Sequence, residues 1–128
     1  MSPLTTAAVV GILLAATLYS VAVFAERRAG ILRPWHLAVF WVGFVADTTA
    51  TTMMSAITGG IQMDIHGVLG ASAILIMLVH STWATIVLLR KQETAMRQFH
   101  KFSLAVWALW MVTLVSGFAL ALPKVMGG

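Results

Sequence analysis

Four apolar runs constrain this chain more than anything else in it. They cover about residues 4–25, 35–57, 65–89 and 100–122 of a 128-residue sequence. Each is long enough to cross a hydrocarbon core, which takes about 20 helical residues. Lipid offers no hydrogen bonds, so each run must satisfy its own backbone as a helix. Charged residues make up 9% of the chain, against about a quarter in a soluble domain. That is too little polar surface to cover a water-soluble globule. The expected fold class is therefore all-α: a single-domain integral membrane four-helix bundle, up-down-up-down, with both termini outside. No positive residue precedes the first run, and it is longer than a leader's apolar region, so it is expected to be a span.

The breaks between runs are short and clearly marked. Glu26-Arg27-Arg28-Ala29-Gly30 ends the first, and Pro34 opens the second at a position a helix tolerates. Gly59-Gly60 ends the second, Arg90-Lys91-Gln92-Glu93 the third, and Pro123 is expected to end the fourth. No connection can hold a domain, so function must lie inside the bundle or at its two surfaces. Arg27, Arg28, Arg33, Arg90, Lys91, Arg97 and Lys101 all fall in the first and third connections, which leaves Lys124 elsewhere. The positive-inside rule makes that face cytoplasmic, as in a bacterial inner membrane. It also explains the net charge of +4 without nucleic acid as a partner. The chain has no cysteine, which excludes disulfides and thiolate metal sites.

Ionisable side chains within spans are costly and are functional candidates for that reason. Here they are His36, Asp47, His66, His80 and His100, with Asp64 expected to be solvated at the outer boundary. His36 and His100 open two parallel helices in a weak repeat, Arg33-Pro34-Trp35-His36 and Arg97-Gln98-Phe99-His100. They therefore share a depth. His66 and His80 lie about 21 Å apart along one helix and within about 40° of one another on its wheel. Helical spacing aligns His36, Gly43, Asp47 and Met54 on the second helix. It aligns His66, Gly70, Ala73, Met77, His80 and Ala84 on the third, and His100, Trp107, Met111 and Phe118 on the fourth. Small residues beside histidines leave room for a flat macrocycle, and histidines from facing helices can bind its iron axially. The expected cofactor is haem b, with Arg33, Arg97 and Lys101 level with its propionates. His36 with His100 is the favoured metal pair, with His80 and His66 as alternates. Asp47 is expected at the depth of His80, bonded to it, as a switch, a proton-handling element or a structural group. The first helix shows no ionisable group inside its span and is expected to be a packing wall. Simpler explanations compete: interfacial histidines anchor helices, small residues pack them, and methionines fill gaps.

Taken together, these features resemble the haem-sensing membrane protein (HsmA) family of small bacterial four-helix proteins. The resemblance spans the full length. It rests on Arg33-Pro34-Trp35-His36, Asp47 with its threonines, Asp64-Ile65-His66-Gly67, His80 and Phe99-His100-Lys101. It implies b-type haem within the bundle and a role in haem sensing or tolerance of haem stress, with no catalysis. So small a sensor would act through a homo-oligomer or an unknown signalling partner. Three rivals remain: a cytochrome b-like electron-transfer subunit working with quinone, an ion or proton transporter using Asp47 and His80, and a structural partner subunit with no ligand.

Overall fold

The computed structural model describes residues 3–59 and 65–126, with side chains for 3–56, 59, 68, 70–117 and 119. Asp64 and the side chain of His66 lie outside these residues, as does the side chain of Phe118. The described chain is all helical: α1 (Pro3–Ala29), α2 (Pro34–Thr58), α3 (Ile65–Arg90) and α4 (Glu93–Met126). All four are long and apolar enough to cross a membrane, consistent with a multi-pass membrane protein.

The sequence marks most of the helix ends. Gly30 follows α1 at φ +74 and Gly59 follows α2 at φ +84, a left-handed conformation that glycine adopts without steric penalty. The Gly59 N–H returns to the Ser55 carbonyl, closing α2. Pro34 occupies the first turn of α2, where its missing N–H costs nothing. The fourth helix departs from expectation at both ends. It starts at Glu93, a full two turns before residue 100, and it runs through Pro123 to Met126. A proline removes one backbone bond, and this helix continues past that loss. At 34 residues α4 is about 51 Å long, so its first turns extend beyond what a hydrocarbon core of about 30 Å covers.

The helices form a ring in which α1 packs most extensively on α2 and α3 on α4, with slimmer α2–α3 and α1–α4 seams. Their inner faces follow seven-residue repeats. In α1 the buried positions include Ala8, Ala15 and Ala22 on one row and Ile12, Tyr19 and Glu26 on the next. In α4 they are Phe99, Val106 and Trp110 with Ser103 and Thr113. Outward faces carry exposed Val10, Leu14, Val42, Val45, Leu75, Val79, Val112 and Val115, an exterior suited to lipid rather than water.

Close approach of α1 and α2 depends on two glycines. A Cβ on Gly43 would meet the Tyr19 ring at 2.9 Å, and one on Gly11 would meet the Ala50 Cβ at 3.1 Å. The α1–α2 connection is also latched to the other side of the bundle. Leu32 is fully buried, and its N–H donates to the Met96 carbonyl in the second turn of α4 at 3.0 Å. The connections rich in arginine and lysine therefore meet at one end, called the basic end below.

Candidate functional site

Near the basic end, α1, α3 and α4 each bury one polar side chain in a single chain of hydrogen bonds. Ser103 donates its hydroxyl proton to Glu26 Oε1 at 2.8 Å. With that proton committed, Ser103 Oγ accepts from His80 Nε2–H, also at 2.8 Å. All three side chains are 0% exposed. Three phenylalanines wrap the imidazole: Phe40 edge-on at 4.5 Å, Phe99 at 5.0 Å and Phe102 at 5.6 Å between ring centroids. Yet the chain has loose ends. Among the described residues Glu26 Oε2 and His80 Nδ1 are buried with no partner, and so is the Ser81 hydroxyl beside His80. An unsatisfied buried polar atom costs about 1–3 kcal/mol, so these ends are expensive to keep.

The second polar group lies deeper. Asp47 Oδ2 accepts from the Tyr19 hydroxyl at 3.1 Å and from Trp110 Nε1–H at 2.9 Å, while Oδ1 receives the Thr51 hydroxyl at 3.5 Å. The Tyr19 and Trp110 rings pack edge to face at 5.1 Å. One carboxylate oxygen thus ties α1, α2 and α4 together. The expected Asp47–His80 bond is not formed. Phe40, which touches His80, precedes Asp47 by two turns, so Asp47 is about 10 Å further from the basic end. Its oxygens are taken by Tyr19, Trp110 and Thr51, and His80 Nε2 by Ser103.

The repeated Arg-x-aromatic-His motif produces a repeated local geometry. His36 Nδ1 bonds the backbone N–H of Arg33 at 3.0 Å, and His100 Nδ1 bonds the backbone carbonyl of Arg97 at 2.8 Å. In each case the partner lies three residues earlier, but the polarity is opposite. His36 accepts, closing half of a capping box at the start of α2; Arg33 has no acceptor with which to supply the other half. The neutral His36 ring therefore carries its proton on Nε2, a buried atom with no partner. His100 donates at Nδ1, so its neutral ring presents a lone pair at Nε2, the tautomer a metal-binding histidine adopts when its other ring N–H bonds a carbonyl. Trp35 packs on His36 with centroids 4.2 Å apart. Arg33, Arg97 and Lys101 are exposed at this end, and Arg97 is paired with Glu93 at 3.0 Å.

Several expectations need correction. On α2 and α3 the predicted faces do point inward: His36, Gly43, Asp47, Ala73, Met77, His80 and Ala84 are buried. On α4 the buried row is offset by one residue from the predicted one. Phe99, Ser103, Val106 and Trp110 face the core, and His100 is only half-buried. A phenylalanine gains more from burial than its histidine neighbour, and that difference sets the rotation of α4. Gly43 does not leave a slot for a plate, because the Tyr19 ring fills it. A Cβ on Gly70 would meet nothing within 4 Å among the described residues, so that position is open. Nor is α1 a plain packing wall, since it supplies Glu26 and Tyr19 to the two polar groups. Sequence reasoning missed Glu26, Tyr19, Ser103 and Trp110 as members of these groups. The seven-residue spacing of Ile12, Tyr19 and Glu26 was the signal that could have found two of them.

Among the described residues, no three His, Asp or Glu side chains gather as a metal-holding cluster. A planar iron cofactor asks less of the protein, one or two imidazoles with a free ring nitrogen. His36 Nε2 and His100 Nε2 are both left unengaged by protein groups, and cations lie at the same end, so the residues present fit such a group. The fit is conditional for His36, whose cap and whose use as an Nε2 ligand are mutually exclusive. The sequence matches no family model, and no similar curated protein or solved structure is found.

Proposed function

We propose that the chain is a membrane-embedded haem b-binding protein acting as a haem sensor or haem-stress protein. The observation that carries this reading is His100, whose Nδ1–H bonds the Arg97 carbonyl and leaves an Nε2 lone pair, with the second histidine, His36, at the same end of the bundle. Orientation of a ring through Nδ1 is what axial ligation through Nε2 requires. His100 would hold the iron through Nε2 in its present tautomer. His36 would do so only in the other tautomer, with its proton on Nδ1 and the Arg33 N–H released. Bound iron would supply ligand-binding and one-electron chemistry. Arg33, Arg97 and Lys101 would neutralise the propionates. The topology that goes with this reading is up-down-up-down in a bacterial inner membrane, with the basic end cytoplasmic and both termini outside. Output would pass through a second copy or a separate signalling partner.

The test is haem titration of purified protein in detergent. A Soret band with a low-spin bis-histidine spectrum is expected. His100→Ala should lower haem affinity at least about tenfold, and His36→Ala should turn the spectrum five-coordinate. No Soret band after haem addition, or unchanged spectra in both variants, would end this reading.

A further inference from the structure

The Glu26–Ser103–His80 chain has no part in that reading, and it is the most unusual feature of the interior. We propose that these three residues form a buried proton-exchange site that takes up one proton and shares it between a carboxylate on α1 and an imidazole on α3 through the hydroxyl on α4.

The geometry supplies the path. Two hydrogen bonds of 2.8 Å meet at one hydroxyl, which can donate to either neighbour while accepting from the other. In one arrangement His80 is an imidazolium and Glu26 a carboxylate. Transfer breaks the His80 Nε2–H bond as Ser103 Oγ gains that proton. Ser103 then releases its own proton to Glu26 Oε1. The result is a neutral imidazole and a carboxylic acid, with every proton accounted for. Both arrangements carry no net charge. Losing the shared proton would leave one uncompensated negative charge on the fully buried Glu26, a costly state in an apolar interior. A single proton is therefore what the cluster binds.

The loose ends mark where it exchanges. Glu26 Oε2 has no partner, and Glu26 directly precedes the exposed Arg27 and Arg28 at the basic end. His80 Nδ1, also without a partner, is the inner end. A purely structural clasp would close these atoms, as the Asp47 group does. Other ionisable groups do not join the chain. On α2, Phe40 touches His80 and His36 lies one turn nearer the basic end, its Nδ1 committed to Arg33. On α1, Tyr19 is bonded to Asp47. On α4, Arg97 pairs with Glu93, His100 with its own backbone, and Lys101 is exposed.

The test uses haem-free protein in lipid nanodiscs and pH-dependent infrared difference spectra. A carboxylic-acid C=O band and the imidazole ring modes of His80 should change over the same pH interval. Glu26→Gln should abolish the acid band. Ser103→Ala should split the shared interval into two, and Ser103→Thr, which restores a hydroxyl, should rejoin them. Helical circular dichroism checks folding; if Glu26→Gln does not fold, Ser103→Ala decides alone, since it deletes a single oxygen. An acid band that survives in folded Glu26→Gln, or transitions that stay coincident in Ser103→Ala, overturns the proposal.

Discussion

Among the described residues two carboxylates are buried, and their surroundings differ sharply. Asp47 is closed: Tyr19 and Trp110 converge on one oxygen and Thr51 reaches the other. Glu26 is open: one oxygen takes the Ser103 hydroxyl and the other has no partner, and at the far end of its chain His80 is half-satisfied. The closed group joins α1, α2 and α4 and behaves as a clasp. The open group joins α1, α3 and α4 and keeps unused bonding capacity near the basic end. In an environment without water, unused capacity is sustained only where something else uses it. The contrast separates residues that hold the fold from residues available for chemistry, although all are equally buried.

Three measurements can break or sharpen this contrast. The largest effect is expected from Asp47→Ala, which strands the Tyr19 hydroxyl and the Trp110 N–H together. Unfolding in mixed micelles should show a loss of about 2 kcal/mol; a loss under about 0.5 kcal/mol would mean that Asp47 is no clasp. Next comes Gly43→Ala, whose new methyl would push on the Tyr19 ring that the clasp depends on. A loss of about 1–2 kcal/mol is expected by the same assay. Gly70→Ala serves as its control and should leave stability unchanged, since a Cβ there would meet nothing within 4 Å among the described residues. Last comes Ser103→Ala, which strands Glu26 Oε1 and His80 Nε2, and a loss of about 1–2 kcal/mol is expected. If Ser103→Ala instead destabilises more than Asp47→Ala, the assignment of clasp and open site must be reversed.

Much of the fold was legible in the sequence. Apolar length alone gives the four helices, and Gly30 and Gly59 mark two ends because the backbone there needs positive φ. The inward direction of His36, Asp47 and His80 follows from the cost of facing lipid. Legibility failed where two readings compete. Glu26 abuts Arg27-Arg28 and so looks like part of a solvated charge run, yet its seven-residue register with Tyr19 and Ile12 carries it inward. Helix α4 was read from its histidine, whereas Phe99 sets its rotation. Partner choice was not legible at all. Whether Asp47 meets His80 or Trp110 depends on how far the helices slide along one another, and hydropathy has no component along the axis. The tautomers of His36 and His100 are equally invisible, because one bonds a backbone N–H and the other a carbonyl within almost identical motifs.

The latch between Leu32 and Met96 has a consequence for how the molecule is made. The first connection is synthesised well before the turn of α4 to which it bonds. Until Met96 leaves the ribosome, the Leu32 N–H has no carbonyl to meet. The first helical pair must therefore wait in the bilayer half-finished, and the N-terminal extension of α4 acts as the bolt that completes the assembly when the last helix is delivered.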